Sequence, residues 1–229
     1  MINQDFEEFK NDIGWYLEPT DTVELTNIED DIYLSDEFQS IFPNLTKLVR
    51  KARIQNLKIN SLPFKLFSWT NIDDVSCGWL SKIEPESISD INISKEHQIL
   101  LNAIGGIEES YNQPEPCLAN NQDFLFTKSK CSKGIGDWNV YYDAMCTEYH
   151  KIKIDASNYI SFVQEANGAL TFYNPKNNEV LLFSPDHCFD DVAFLKDQPE
   201  YTFHTINGIK NFNDYVEKLA KEWISDVQI

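Results

Sequence analysis

The chain has 229 residues, 42% of them hydrophobic, enough to bury a core, and its 37 acidic residues against 19 basic ones give a formal charge of -18. A surface of that sign repels the phosphate backbone that dominates nucleic-acid affinity, so direct DNA or RNA binding is not expected. No stretch approaches the roughly 18 apolar residues of a spanning helix, and the start "MINQDFEEFKNDIGWYL" lacks the basic and apolar regions of an export signal, so a soluble cytoplasmic protein is expected.

Five cysteines, Cys77, Cys117, Cys131, Cys146 and Cys188, form no dense repeating pattern, and reduced thiols are the expectation. The charge is uneven. Residues 1–45 carry twelve acids and one Lys, whereas residues 46–60 carry five bases and no acid. The basic run "KLVRKARIQNLK" reads as a helix surface that offsets the acidic front.

In chain order, Phe6, Phe9, Ile13 and Leu17 recur at helical spacing behind Asp5, Glu7 and Glu8, which suit the positive end of a helix. From Thr20 to Asp36 acidic and polar residues alternate with Val23, Leu25, Ile28, Ile32 and Leu34. "SDEFQSIF" predicts a short capped helix stopped by Pro43, and Asn44 is placed to cap another through "LTKLVRKARIQ". Strand-like alternation follows near residues 57–69 and 77–83.

A composition change near "EPESISDIN" (84–92) suggests a boundary, after which "SKEHQILLNAIGG" predicts a helix from a Ser94 cap to the Gly105-Gly106 stop. "DFLFTK", "WNVYY" and "HKIKI" read as strands. "ALTFY" and "EVLLF" flank the five-residue turn Asn174-Pro-Lys-Asn-Asn178 as a hairpin, with Leu170 and Phe172 facing one way and Thr171 and Tyr173 the other. "SPDHC" then reads as the turn leaving the sheet. Finally Phe212, Val216, Leu219 and Trp223 form a helical stripe behind an Asn211 cap.

Chemical motifs are sparse. Cys146 and His150 with His187 and Cys188 carry thiolate and imidazole ligands that suit zinc or a nucleophilic pair oriented by Asp186 or Asp190, but their spacing matches no recurrent motif, and buried thiols with surface histidines is the plainer reading. No nucleophile elbow, phosphate loop, metalloprotease helix or dinucleotide fingerprint is present. Acidic runs such as "EDD" at Glu29 to Asp31 read as solvated faces, and most aromatic residues as core.

Three pieces, the helix ending at Gly105-Gly106, the hairpin from Gly168 to Phe172 with Val180 to Phe183, and the closing helix that starts with Phe212 to Tyr215, resemble the SUKH superfamily over roughly residues 90–225. That resemblance implies an α+β binding module without catalytic residues or cofactor, of the kind found among bacterial immunity proteins that neutralise toxins, often nucleases. About 85 residues precede the similar region, and the loops between Glu109 and Tyr159 are longer and richer in Cys than in the family.

The resulting expectation is an α+β fold with a mixed, mainly antiparallel sheet flanked by helices over residues 86–229, preceded by an acidic, mostly helical extension over residues 1–85 packed on the core. The expected partner is a basic protein, a toxin domain, held through complementary charge and buried aromatic side chains. Candidate contacts are Glu108, Glu109, Asp186, Asp190 and Asp191, which flank element ends near the most motif-like segments.

Overall fold

The computed structural model describes residues 4–115, 118, 122–185 and 191–228. The first two-thirds of the chain give helix α1 (Gln4–Asp12), strand β1 (Val23–Glu29), helices α2 (Asp36–Ile41) and α3 (Pro43–Val49), strands β2 (Arg53–Ile59), β3 (Leu62–Thr70) and β4 (Ser76–Lys82), helix α4 (Lys95–Ile104), strands β5 (Gly106–Tyr111) and β6 (Gln122–Leu125), and helix α5 (Trp138–Glu148). Strands β7 (Ile160–Glu165), β8 (Leu170–Tyr173), β9 (Val180–Phe183), β10 (Val192–Phe194) and β11 (Phe203–Ile206) follow, then helix α6 (Phe212–Asp226).

The eleven strands make one sheet that follows chain order from β1 to β9 and finishes β11-β10. Every pairing of these strands is antiparallel, so the expected mixed sheet is corrected to an antiparallel one. The reason is local: successive strands are neighbours, and a parallel neighbour would need a crossover. Asn60 and Ser61, both at positive φ (51° and 68°), make the two-residue turn between β2 and β3, a geometry that matches the twist of its flanking strands.

Residues 1–85 are less helical than expected. Besides α1–α3 they supply β1–β4, and β4 pairs with β5 from Gly78↔Tyr111 to Lys82↔Gly106, so the sheet runs unbroken past the expected boundary. The predicted helix through "LTKLVRKARIQ" stops at Val49 because the next apolar side chains change period: Ile54, Leu57 and Ile59 are buried along a strand. The predicted strand at "WNVYY" is the helix α5, which buries Tyr142 and Cys146 four residues apart, and "HKIKI" forms no strand. Aromatic and β-branched residues misled there, since their strand preference is weaker than a good packing surface.

Both faces of the sheet are covered. On one, α2, α3, α4 and α6 enclose a core in which the Trp69, Trp79 and Trp223 rings lie 4.9–5.6 Å apart. On the other, α1 sets Phe6, Phe9 and Ile13 against Leu57, Phe64, Leu66, Leu80 and Tyr111, and α5 sets Tyr142 and Cys146 against Phe172, Phe183 and Phe203. The β8–β9 hairpin serves both layers as its alternation predicts: Leu170, Phe172, Leu181 and Phe183 face α5, while Tyr173, Val180 and Leu182 face α6. Each such apolar side chain contributes about 1.5–3 kcal/mol on burial.

Local signals agree with this packing. Ser94 Oγ accepts from the His97 amide at 3.2 Å and Asn211 Oδ1 from the Asp214 amide at 3.0 Å, closing the N-termini of α4 and α6. Gly105 stops α4 at φ 77°, where an added Cβ would lie 2.5 Å from the Lys82 carbonyl oxygen. α3 has no side-chain cap of its own, and the Glu217 carboxylate of α6 accepts from the Asn44 and Leu45 amides at 3.0 and 3.2 Å instead.

Candidate functional site

The candidate site is a groove of about 440 Å³ between the end of α1 and the β5–β6 region, lined by Asp12, Ile13, Trp15, Glu109, Ser110, Asn112, Gln113, Glu115 and Gln122. It exists because α1 is anchored at both ends. Arg53 grips Asp5 with two hydrogen bonds, Nε to Oδ2 at 2.9 Å and Nη2 to Oδ1 at 2.7 Å, and Ser76 Oγ adds a third at 2.7 Å. Burial opposes ionisation of Asp5, yet these donors hold its carboxyl below the ordinary range. At the other end Asp12 Oδ2 accepts from the Asn112 amide at 2.7 Å, fixing the β5 exit beside the helix terminus.

Trp15 lies three residues past α1 and off its buried face, with 70% of its surface exposed on the rim of the groove. Next to it β5 carries a bulge. Leu80 pairs with Glu109 while Ser81 pairs with Ile107, leaving Glu108 as the extra residue. Both carboxylates consequently act on Tyr16: burial first, then Glu108 and Glu109, push the pKa of its hydroxyl up and so oppose its ionisation.

The two glutamates are not equivalent. Glu108 is buried and its Oε2 meets Lys130 Nζ at 3.0 Å, while its Oε1 has no hydrogen-bond partner among the described residues. Lys130 also lies 3.7 Å from Asp123 Oδ1 and 5.8 Å from the Phe124 ring centre. Glu109 is pushed up to about 7, by burial above all, with Asp123 and Glu108 adding to the rise and Lys130 opposing it. Near neutral pH it is therefore poised between charged and uncharged. On the floor, Ser110 Oγ donates to Gln122 Oε1 at 3.1 Å and the buried Gln122 Nε2 has no partner among the described residues.

The sequence-derived contacts separate into two places. Glu109 lines this groove, and Glu108 beside it in the strand is buried against Lys130 and does not line it; Asp191 precedes β10, where its Oδ2 pairs with Lys218 Nζ at 2.8 Å. From β5 to β10 there are six inter-strand steps, roughly 29 Å along the sheet at about 4.8 Å each, so Asp191 does not share the site. Asp186 and Asp190 lie outside the described residues.

Among the thiols and imidazoles, Cys146 is buried under α5 and His150 follows it in an exposed turn at φ 53°. His187 and Cys188, the other half of that set, lie outside the described residues, as does Cys117. Among the described residues no three His, Cys, Asp or Glu side chains gather as a metal site. Burial pushes the Cys77 and Cys131 thiols up to about 12, so neither supplies a thiolate at neutral pH.

Sequence reasoning missed Asp12, Trp15, Glu115 and Gln122. Trp15 carried a usable signal: it falls off the Phe6–Phe9–Ile13 stripe, so an amphipathic helix leaves it outward. The others come together only through tertiary contacts, Asp12 through the Asn112 amide and Gln122 through the Ser110 hydroxyl, which no local pattern reveals. No helix among the described residues is long and apolar enough to cross a membrane. No family model, curated protein or solved structure matches the chain.

Proposed function

We propose that this chain is a non-catalytic protein-binding module that grips a basic protein through the α1–β5–β6 groove, and that its partner is a toxin domain, the chain acting as the cognate immunity protein in the cytoplasm. The observation that carries the binding reading is the pairing of a concave surface bearing Asp12, Glu109 and Glu115 with an indole exposed at its rim. Exposed aromatic anchors beside complementary charge are the usual basis of tight, fast protein association. The toxin reading rests on the SUKH-like features of residues 90–225.

In this scheme no bond is made or broken. The carboxylates take the positions that substrate phosphates occupy in a basic cleft, Trp15 fills an apolar recess beside it, and the partner's active site is blocked. The excess of acids over bases speeds encounter, and the effect falls with ionic strength.

The direct test is co-expression with the product of the neighbouring reading frame. Protection of growth, a stoichiometric complex, and loss of both in a Trp15→Ala, Glu115→Lys double variant are expected. A complex that this variant leaves intact moves the interface elsewhere, and a neighbouring product with no toxicity removes the immunity reading.

A further inference from the structure

Among the described residues, strand β1 forms one edge of the sheet and pairs only with β2. None of its seven residues is buried. The opposite edge strand, β10, has only three residues, and exposed edges are normally kept short or guarded by Lys or Pro, since their open main chain is a template for another strand. β1 contains neither Lys nor Pro.

Register sorts its side chains by face. Val23 and Leu25 stand opposite Ile59 and Leu57, two residues of the α1-side core. After the irregularity between Leu25 and Ile28, Ile28 stands opposite Gln55, two positions from Leu57 and on the same face. Glu24 and Glu29 occupy the other face, within 3.6 Å of Lys58 and 2.7 Å of Lys65. One side of the strand is thus an apolar row, with Val23 and Leu25 each 36% and Ile28 66% exposed, and the other is acidic. The α1-side core ends at Leu57 and Ile59 of β2 and leaves that row exposed.

The backbone is open in the same direction. The Thr22 carbonyl accepts from the Asn60 amide at 2.9 Å, toward β2, so by alternation the main-chain groups of Val23 and Leu25 point outward from the edge. Asp30 and Asp31 follow at the end of the strand.

We propose that β1 receives an extended segment of a partner protein as a twelfth strand, and that this segment alternates apolar and basic residues. Its apolar side chains cover Val23, Leu25 and Ile28, its Lys or Arg side chains meet Glu24, Glu29 and the Asp30-Asp31 pair, and its main chain completes the edge ladder. Charge selects against a second copy of this chain, because antiparallel β1–β1 pairing sets glutamates against glutamates in molecules of formal charge -18 each. This surface is separate from the groove and does not depend on the identity of the groove's partner.

The probe is the peptide acetyl-Lys-Val-Lys-Val-Lys-Val-Lys-amide titrated into the full ¹⁵N-labelled chain. Saturable shifts confined to Val23–Glu29 and slowed hydrogen exchange of the Val23 and Leu25 amides are expected. Affinity should fall at least tenfold with Glu in place of each peptide Lys, with Pro in place of the central Val, and in the Leu25→Lys variant. Equal binding of the Pro peptide removes strand pairing, and equal binding of the Glu peptide removes charge selection. Shifts centred on Trp15 and Glu109 instead, or no saturable binding, overturn the site. A concentration-dependent dimer in sedimentation that Leu25→Lys abolishes assigns the edge to a second copy and overturns the proposal.

Discussion

His97 Nδ1 lies 3.3 Å from the Tyr173 hydroxyl inside the main core. The other ring nitrogen, Nε2, is 2.6 Å from the Phe126 carbonyl oxygen, which can only accept, so Nε2 carries the proton and Nδ1 accepts from Tyr173. The Tyr173 oxygen in turn accepts from the Ser94 amide at 2.9 Å. One polar chain thus ties the start of α4 to β8 and to the residue after β6, and His97 stacks on Phe212 at 4.8 Å.

Burial above all depresses His97 to about 4, with Lys128 adding to the effect and the Phe126 hydrogen bond opposing it. The imidazole is neutral when folded, whereas the unfolded chain binds a proton near pH 6.5. Its contribution is complete above that pH and is lost as pH falls through 4, a change of about 3 kcal/mol. Urea unfolding at pH 7, 5.5 and 4 should show a flatter pH dependence for His97→Asn than for the parent chain. Identical slopes would refute the assignment.

Glu109 acts in the opposite sense. Its folded value of about 7 exceeds the ordinary 4.5, so its contribution is complete below pH 4.5 and is lost as pH rises through 7, where an ion must form in a half-buried site. Glu109→Gln should therefore match the parent at pH 4.5 and exceed it by about 1 kcal/mol at pH 8, a figure reduced for partial exposure. Chemical denaturation at the two pH values measures the difference.

Two tryptophans should separate binding from stability. Trp223 is fully buried against Trp69 and Trp79, and Trp223→Ala should cost about 3–5 kcal/mol in unfolding free energy. Trp15→Ala should change stability by less than about 0.5 kcal/mol yet weaken partner binding by about tenfold or more. Calorimetry of the free chain and of the complex distinguishes the two.

Gly105→Ala should destabilise by about 2 kcal/mol or more, because a positive φ and a 2.5 Å approach to the Lys82 carbonyl oxygen both oppose a Cβ. Thermal unfolding of this variant checks the tight junction between α4 and β4.

What the chain announces locally, the fold keeps. The Ser94 and Asn211 caps, the glycine stop of α4 and the two-faced β8–β9 hairpin are each written in a few adjacent residues. Where partners lie far apart in sequence the reading falters. β2 begins within a basic run that scores as helix, because its pairing with β1 and β3 decides its state. α5 is a helix because Tyr142 and Cys146 have an apolar sheet face to cover. Of the groove, Glu109 was legible as a charge beside a turn, but its burial arises from a bulge opposite Leu80 and Ser81 that no single segment encodes.

The tryptophan cluster has a consequence for the order in which the molecule is made. Trp69 and Trp79 leave the ribosome more than 140 residues before Trp223, the ring that seals them, and α3 waits as long for the Glu217 carboxylate at its amino end. Throughout that interval the first four strands carry a sticky, half-roofed surface, so nascent chains stalled before α6 should be hypersensitive to protease and dependent on a holding chaperone until the last helix docks.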